Sequence, residues 1–141
     1  MIIQSMPAES HGRTINYGFK REVKTPFNET LERVRAALAD EGFGVLCEIN
    51  LKEKFREKLG VDFGNYVILG ACAPTLAFEA LQEEMDLGLL LPCNVVVYQN
   101  GEKTTVSAID AVRMMSVVGN EELNKTAQTV NEKLWRAIQA V

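Results

Sequence analysis

The sequence predicts an α+β fold, a two-layer sandwich in which helices cover one face of a mainly antiparallel sheet. Three observations lead there. Two apolar runs, Tyr66-Val-Ile-Leu-Gly-Ala-Cys72 and Cys93-Asn-Val-Val-Val-Tyr98, read as buried strands. The second run is joined to another strand, near 103–110, by Asn100-Gly101, the strongest short hairpin signal, so these two must pair antiparallel. Two long amphipathic patterns, after Pro26 and after Asn120, supply helices enough to cover one side. At 141 residues the chain fits one domain. We read a lead-in over residues 1–13, with Pro7, Ser10 and Gly12 and no clear period, and a single domain over 14–141.

From Thr14 to Val23 the alternation Ile15, Tyr17, Phe19 predicts a first strand with one buried face. Thr25-Pro26 makes a helix start, with Thr25 as N-cap. Phe27, Leu31, Val34 and Leu38 then repeat at three and four residues, and Gly42 follows as the C-terminal cap. A second strand spans Phe43 to Ile49, where Val45, Cys47 and Ile49 share the inward face and Glu48 points to solvent. Asn50 and Glu53 form a capping box for a short helix carrying Leu51, Phe55 and Leu59, and Gly60 ends it. Pro74 opens another short helix, with Leu76, Ala77, Ala80 and Leu81 inward. The segment from Met85 to Leu91 resists assignment because Gly88 interrupts it. The final helix starts at Asn120, and its stripe is Leu123, Ala127, Val130, Leu134, Ile138 and Val141. Glu121 and Glu122 complement the dipole at its start.

Composition narrows the function classes. Hydrophobic residues are 47% and charged residues 24%, the balance of a chain that fills a core. The 15 basic and 19 acidic side chains give a formal charge of −4, without the basic stripe that displaces counterions from nucleic acid. In Lys52-Glu-Lys-Phe-Arg-Glu-Lys58 the glutamates offset the basic groups, which makes a solvated helix face. Nucleic acid is therefore not an expected partner. Neither is a membrane, since no apolar run approaches the ~18 residues of a bilayer span. The start of the chain lacks a basic region followed by a long apolar stretch, so no secretory signal is expected and the default location is cytoplasmic. The 3 cysteines, with no CxxC pair, read as free thiols in a reducing compartment, and His11 sits alone in the polar lead-in. Gly42-Phe-Gly44 precedes a strand and lacks a third glycine, so no dinucleotide site is expected.

The chemistry-bearing candidates lie at strand ends. Cys72 closes one apolar run just before a helix N-terminus, whose partial positive charge favours a thiolate. Cys93 opens the next. If these strands are antiparallel neighbours, the sulfurs come close enough for a disulfide or for two-thiolate binding of a soft metal ion. The competing reading makes both small buried hydrophobes, the usual fate of a free cysteine. Asn94 and Asp110 would be outer partners, although an aspartate at a strand end more often caps the next turn. Cys47 reads as core. The leading expectation is a non-enzymatic binding domain for a small molecule or soft metal ion, with ligand-binding residues Cys72, Cys93, Asn94 and Asp110, the two cysteines being the metal ligands. One alternative is a thiol-dependent enzyme or redox sensor, with Cys72 as nucleophile and Cys93 as resolving thiol. Another is a structural interaction module using the leucine-rich stretch that holds Leu87, Leu89, Leu90 and Leu91.

Gly42-Phe-Gly-Val-Leu-Cys-Glu-Ile49, Lys58-Leu-Gly-Val-Asp-Phe63, the Tyr66-to-Pro74 and Gly88-to-Tyr98 segments and Ala108-Ile-Asp110 together resemble a prokaryotic family catalogued as domain of unknown function 302. The resemblance covers roughly residues 14–140. It implies a β-α-β4-α fold similar to a TATA-binding-protein half, with helices on one side of a curved sheet, and a homodimer. It brings no established activity. The chain departs from the family's pattern at Ala73, where asparagine is frequent, and at Ala111, where proline is.

Overall fold

The computed structural model describes residues 13–141; the lead-in up to residue 12, His11 included, lies outside the described residues. The elements are β1 (Arg13–Ile15), β2 (Gly18–Val23), α1 (Phe27–Asp40), β3 (Gly44–Asn50), α2 (Leu51–Leu59), β4 (Tyr66–Cys72), α3 (Pro74–Glu83), a 3-10 turn (Met85–Leu90), β5 (Cys93–Asn100), β6 (Lys103–Ile109), α4 (Ala111–Ser116) and α5 (Glu121–Gln139). All six strands join one sheet in the order β1-β2-β6-β5-β4-β3, every neighbour antiparallel. The expected α+β sandwich is what forms, with α2 and α3 as the short extra helices between strands.

The core lies between the sheet and the helices α1 and α5. Val67, Leu69 and Ala71 of β4, Val95 and Val97 of β5 and Val106 and Ala108 of β6 point into it and are at most 1% exposed. From the helices come Val34 and Leu38 of α1, and Leu123, Ala127, Leu134 and Ile138 of α5. Period 2 in the strands and 3.6 in the helices put these residues on facing surfaces. Trp135 meets Phe19 edge-on at 5.7 Å. Arg21 of β2 donates from Nη1 to the carbonyls of Ile138 (3.2 Å) and Gln139 (2.6 Å). A cation at these open carbonyls complements the helix dipole and pins the end of α5 to the sheet.

Local signals explain most boundaries. Asn50 Oδ1 accepts the Glu53 N–H at 3.2 Å, and Gly60 closes α2 with φ +67°, the left-handed conformation glycine adopts freely. Asn120 Oδ1 accepts the Glu122 N–H at 2.9 Å at the start of α5. In the β5–β6 hairpin Asn100 pairs with Lys103, so the two-residue loop is Gly101-Glu102. Gly101 takes the first central position with φ +64°, where only a turn tolerant of glycine fits.

Three expectations are corrected, and one element is new. The stretch 14–23 is a hairpin, β1 turning at Asn16-Tyr17 into β2, so Tyr17 is exposed while Phe19 is buried. At the first helix the cap position falls to Pro26 with no side-chain bond; the Thr25 carbonyl instead accepts Thr30 Oγ1 (3.1 Å) and Thr104 Oγ1 (2.8 Å). A bulge in β3 between Val45 and Cys47 reverses the faces of the residues beyond it. Cys47 therefore lies exposed opposite Gly70, and Glu48 turns toward the helices and pairs with Arg35 of α1. Finally α4 was not anticipated from the sequence.

Candidate functional site

Antiparallel pairing of β4 with β5 sets Ala71 opposite Cys93, so Cys72, the next residue, leaves β4 beside the start of β5. Cys93 is buried at 5% exposure and Cys72 is half-buried. Both line one cavity of about 20 Å³, closed by Phe43, Leu76 and Ala80, by Leu91 from the loop before β5, and by Met115 of α4. That volume holds one water-sized or ion-sized occupant. The other walls are apolar apart from Thr126.

Burial sets the electrostatics. Burial first, with the neighbouring Cys72 adding to it, pushes the Cys93 thiol up to about 11. Burial also raises Cys72. The charge at the N-terminus of α3 would act the other way, but that helix starts from Ala73 with no side-chain cap. Both shifts run opposite to the lowering that activates a thiol nucleophile.

The two expected outer partners are placed apart. Asn94 leaves the opposite face of β5 from Cys93 and is exposed. Asp110 is the N-cap of α4: its Oδ1 accepts the Arg113 N–H at 3.1 Å and Asn131 Nδ2 at 2.9 Å. Asn131, fully buried in α5, in turn accepts the Ala111 N–H on Oδ1 at 2.7 Å. Asp110 and Asn131 thus fix the helix that carries Met115, and Asp110 bears on the cavity through that helix. Asn131 is the residue that sequence reasoning missed. Its signal was a polar side chain falling in the apolar stripe beside Ala127, Val130 and Leu134. Among the described residues, no group of three or more His, Cys, Asp or Glu comes together as a metal cage.

The leucine-rich stretch mostly packs inward. Leu87 is 1% exposed, Leu90 and Leu91 pack against the core, and only Leu89 is free at 87%.

A second concavity of about 240 Å³ lies on the uncovered face of the sheet, lined among others by Tyr17, Lys20, Tyr66, Asn94, Tyr98 and Ser107. Tyr66 and Tyr98 stack at 5.2 Å, and the Lys20 ammonium lies 5.9 Å from the Tyr98 ring. Burial, then the neighbouring Tyr98 and Tyr17, raise the Tyr66 hydroxyl pKa, while Lys20 lowers it.

Comparison with known proteins agrees with this architecture. No curated protein matches the chain. Among solved structures, an uncharacterized conserved DUF302 protein from Bacillus stearothermophilus superposes with a TM-score of 0.83 at 32% identity, covering 90% of this chain and 100% of that one. The family model described as "Domain of unknown function DUF302" matches residues 19–141. The chain belongs to the DUF302 family.

Proposed function

We propose that this protein is a binding domain whose site is the thiol-lined cavity between the end of β4 and the start of β5, taking a soft metal ion or a comparably compact ligand. One observation carries the reading: Cys72 and Cys93, 21 positions apart in the chain, line the same one-ion cavity. Apolar walls hold both thiols protonated in the free protein, which suits a ligand that displaces protons on binding better than it suits nucleophilic catalysis. Asp110 and Asn131 support the site by fixing α4, and three free thiols fit a reducing, cytoplasmic setting. The test is the thermal midpoint of the reduced protein with Cu(I) or Zn(II), measured beside a Cys72→Ala, Cys93→Ala variant. A rise in the wild type that the variant lacks supports the site; equal responses remove it.

A second surface favours self-association. The helix α2 has no buried residue, and Leu46, Ile49, Leu59, Val61 and Phe63 stand exposed around it. An apolar patch of this kind marks an interface more often than bare surface, and two copies meeting there would form the homodimer. Sedimentation of a Leu59→Asp, Phe63→Asp variant should then show a lighter species than wild type; identical behaviour refutes the contact.

A further inference from the structure

We propose that the concavity on the uncovered face of the sheet is a second binding site, for a small aromatic carboxylate whose ring extends the Tyr66–Tyr98 stack and whose acid group pairs with Lys20. It shares no lining residue with the thiol cavity and stands independently of it.

Strand register builds the site. Tyr66 of β4 and Tyr98 of β5 are direct partners in the ladder, and Lys20 of β2 is partnered by Ser107 of β6. Ser107 in turn faces Val96, two residues before Tyr98, so alternation brings these side chains to one face. The two tyrosine rings lie 5.2 Å apart and within 8° of parallel. Such a pair offers a flat surface on which a third ring stacks. The Lys20 ammonium sits 5.9 Å from the Tyr98 centroid, at the outer limit of a cation–π contact, so the ring satisfies it only weakly.

Charge selects the ligand. Among the described residues Lys20 is the one charged group lining the concavity, and it is half-buried without an ion pair. Glu22, the next residue on the same face of β2, is taken by Lys103 at 3.8 Å. Tyr17, Tyr66, Asn94, Tyr98 and Ser107, the other polar lining, all carry N–H or O–H donors. Burial, then Tyr98 and Tyr17, raise the Tyr66 pKa, so that phenol keeps its proton and donates at neutral pH. An ammonium among donors lacks an acceptor, and a carboxylate supplies one. Ile15, Val96 and Ile109 give the apolar part of the lining, which suits a ring and not a bare anion. The volume of about 240 Å³ falls below the roughly 300–1,000 Å³ of sites for drug-sized ligands, which sets the size at one ring with its acid group.

The experiment titrates the full chain with benzoate by calorimetry and maps the contact by amide chemical shifts in isotope-labelled protein. Shifts should centre on Lys20, Asn94, Tyr98 and Ser107; shifts centred elsewhere, or no response at millimolar benzoate, overturn the site. Lys20→Gln should weaken binding roughly 10–100-fold, the worth of a hydrogen bond to a charged group. Tyr98→Leu should weaken it roughly 3–10-fold, the worth of an aromatic pair. Unchanged affinity in Lys20→Gln overturns the acid contact. Cyclohexanecarboxylate held as tightly as benzoate overturns the stacking, and inorganic phosphate held as tightly overturns the aromatic class. The Cys72→Ala, Cys93→Ala variant should bind benzoate as the wild type does; loss of binding there overturns the assignment to this face.

Discussion

The two faces of the sheet use the same strands for opposite ends. Toward the helices, β4 and β5 present Val67, Leu69, Ala71, Cys93, Val95 and Val97, sealed from solvent and closing on the thiol cavity. Away from them the same strands present Tyr66, Ile68, Asn94, Val96 and Tyr98, which stay partly solvated and hold an aromatic stack with Lys20 above it. Alternation along each strand makes the division automatic. Chain neighbours such as Cys93 and Asn94 therefore serve different surfaces, and a site proposed from adjacent residues is divided by the sheet itself. The covered face supplies dryness, which holds the Cys93 thiol protonated. The uncovered face supplies polar groups and open surface.

The sharpest way to break this comparison is to cut one side chain on each face. Leu69→Ala should cost about 2–5 kcal/mol, because it leaves a cavity in the sealed core. Ile68→Ala, one residue away on the other face, should cost about 1 kcal/mol or less, since its surroundings are already wet. Urea unfolding of the two variants checks the ratio; equal losses would mean that the second face is covered too.

The next effect is pH-linked. In the native protein the Cys93 thiol titrates at about 11, against 9.0 for an ordinary thiol. As pH rises past the ordinary value the unfolded chain loses this proton first and the native state keeps it. Stability is therefore fully present below about pH 9 and falls as pH climbs toward 11, by about 2–3 kcal/mol for this 2-unit shift. Stability curves for wild type and Cys93→Ala should converge over that window while tyrosines and lysines cancel between them. Parallel curves would show that Cys93 is not desolvated.

The smallest contrast is on the open face. Replacing Tyr98 by alanine removes the stack with Tyr66 and the Lys20 contact, worth about 0.5–1.5 kcal/mol beyond simple burial. The Tyr66 hydroxyl should then titrate nearer its ordinary value, since Tyr98 is one of the causes that raise it. An unmoved Tyr66 absorbance titration would assign its shift to burial and Tyr17.

Much of the fold was legible because its signals are local. The apolar run of β4, the Asn50–Glu53 box, the glycine at the β5–β6 turn and the stripe of α5 each depend on a few neighbouring residues. What was hidden depends on insertions and on distant partners. The β3 bulge has no side-chain signature, yet one extra residue sends Cys47 outward and Glu48 inward. The helix α4, six residues long, is too short to show a period, and its anchor Asn131 lies 20 residues further on. The candidate site was half visible. Both cysteines announced themselves at strand ends, but their lining of one cavity needed β5 beside β4, and Met115 reaches it only through α4.

The central claim is that Cys72 and Cys93 line one small cavity that binds a soft ion, while Cys47 stands outside it. The most direct measurement is the alkylation rate of each cysteine in the native reduced protein, mapped by mass spectrometry with and without Cu(I). At pH 8 a thiol titrating near 11 is thiolate in roughly one molecule in a thousand. The account predicts that Cys47 labels fastest, Cys72 more slowly and Cys93 only on unfolding, with Cu(I) protecting Cys72 and leaving Cys47 unchanged. Labelling of Cys93 at the rate of Cys47, or protection that falls on Cys47 instead, would contradict it.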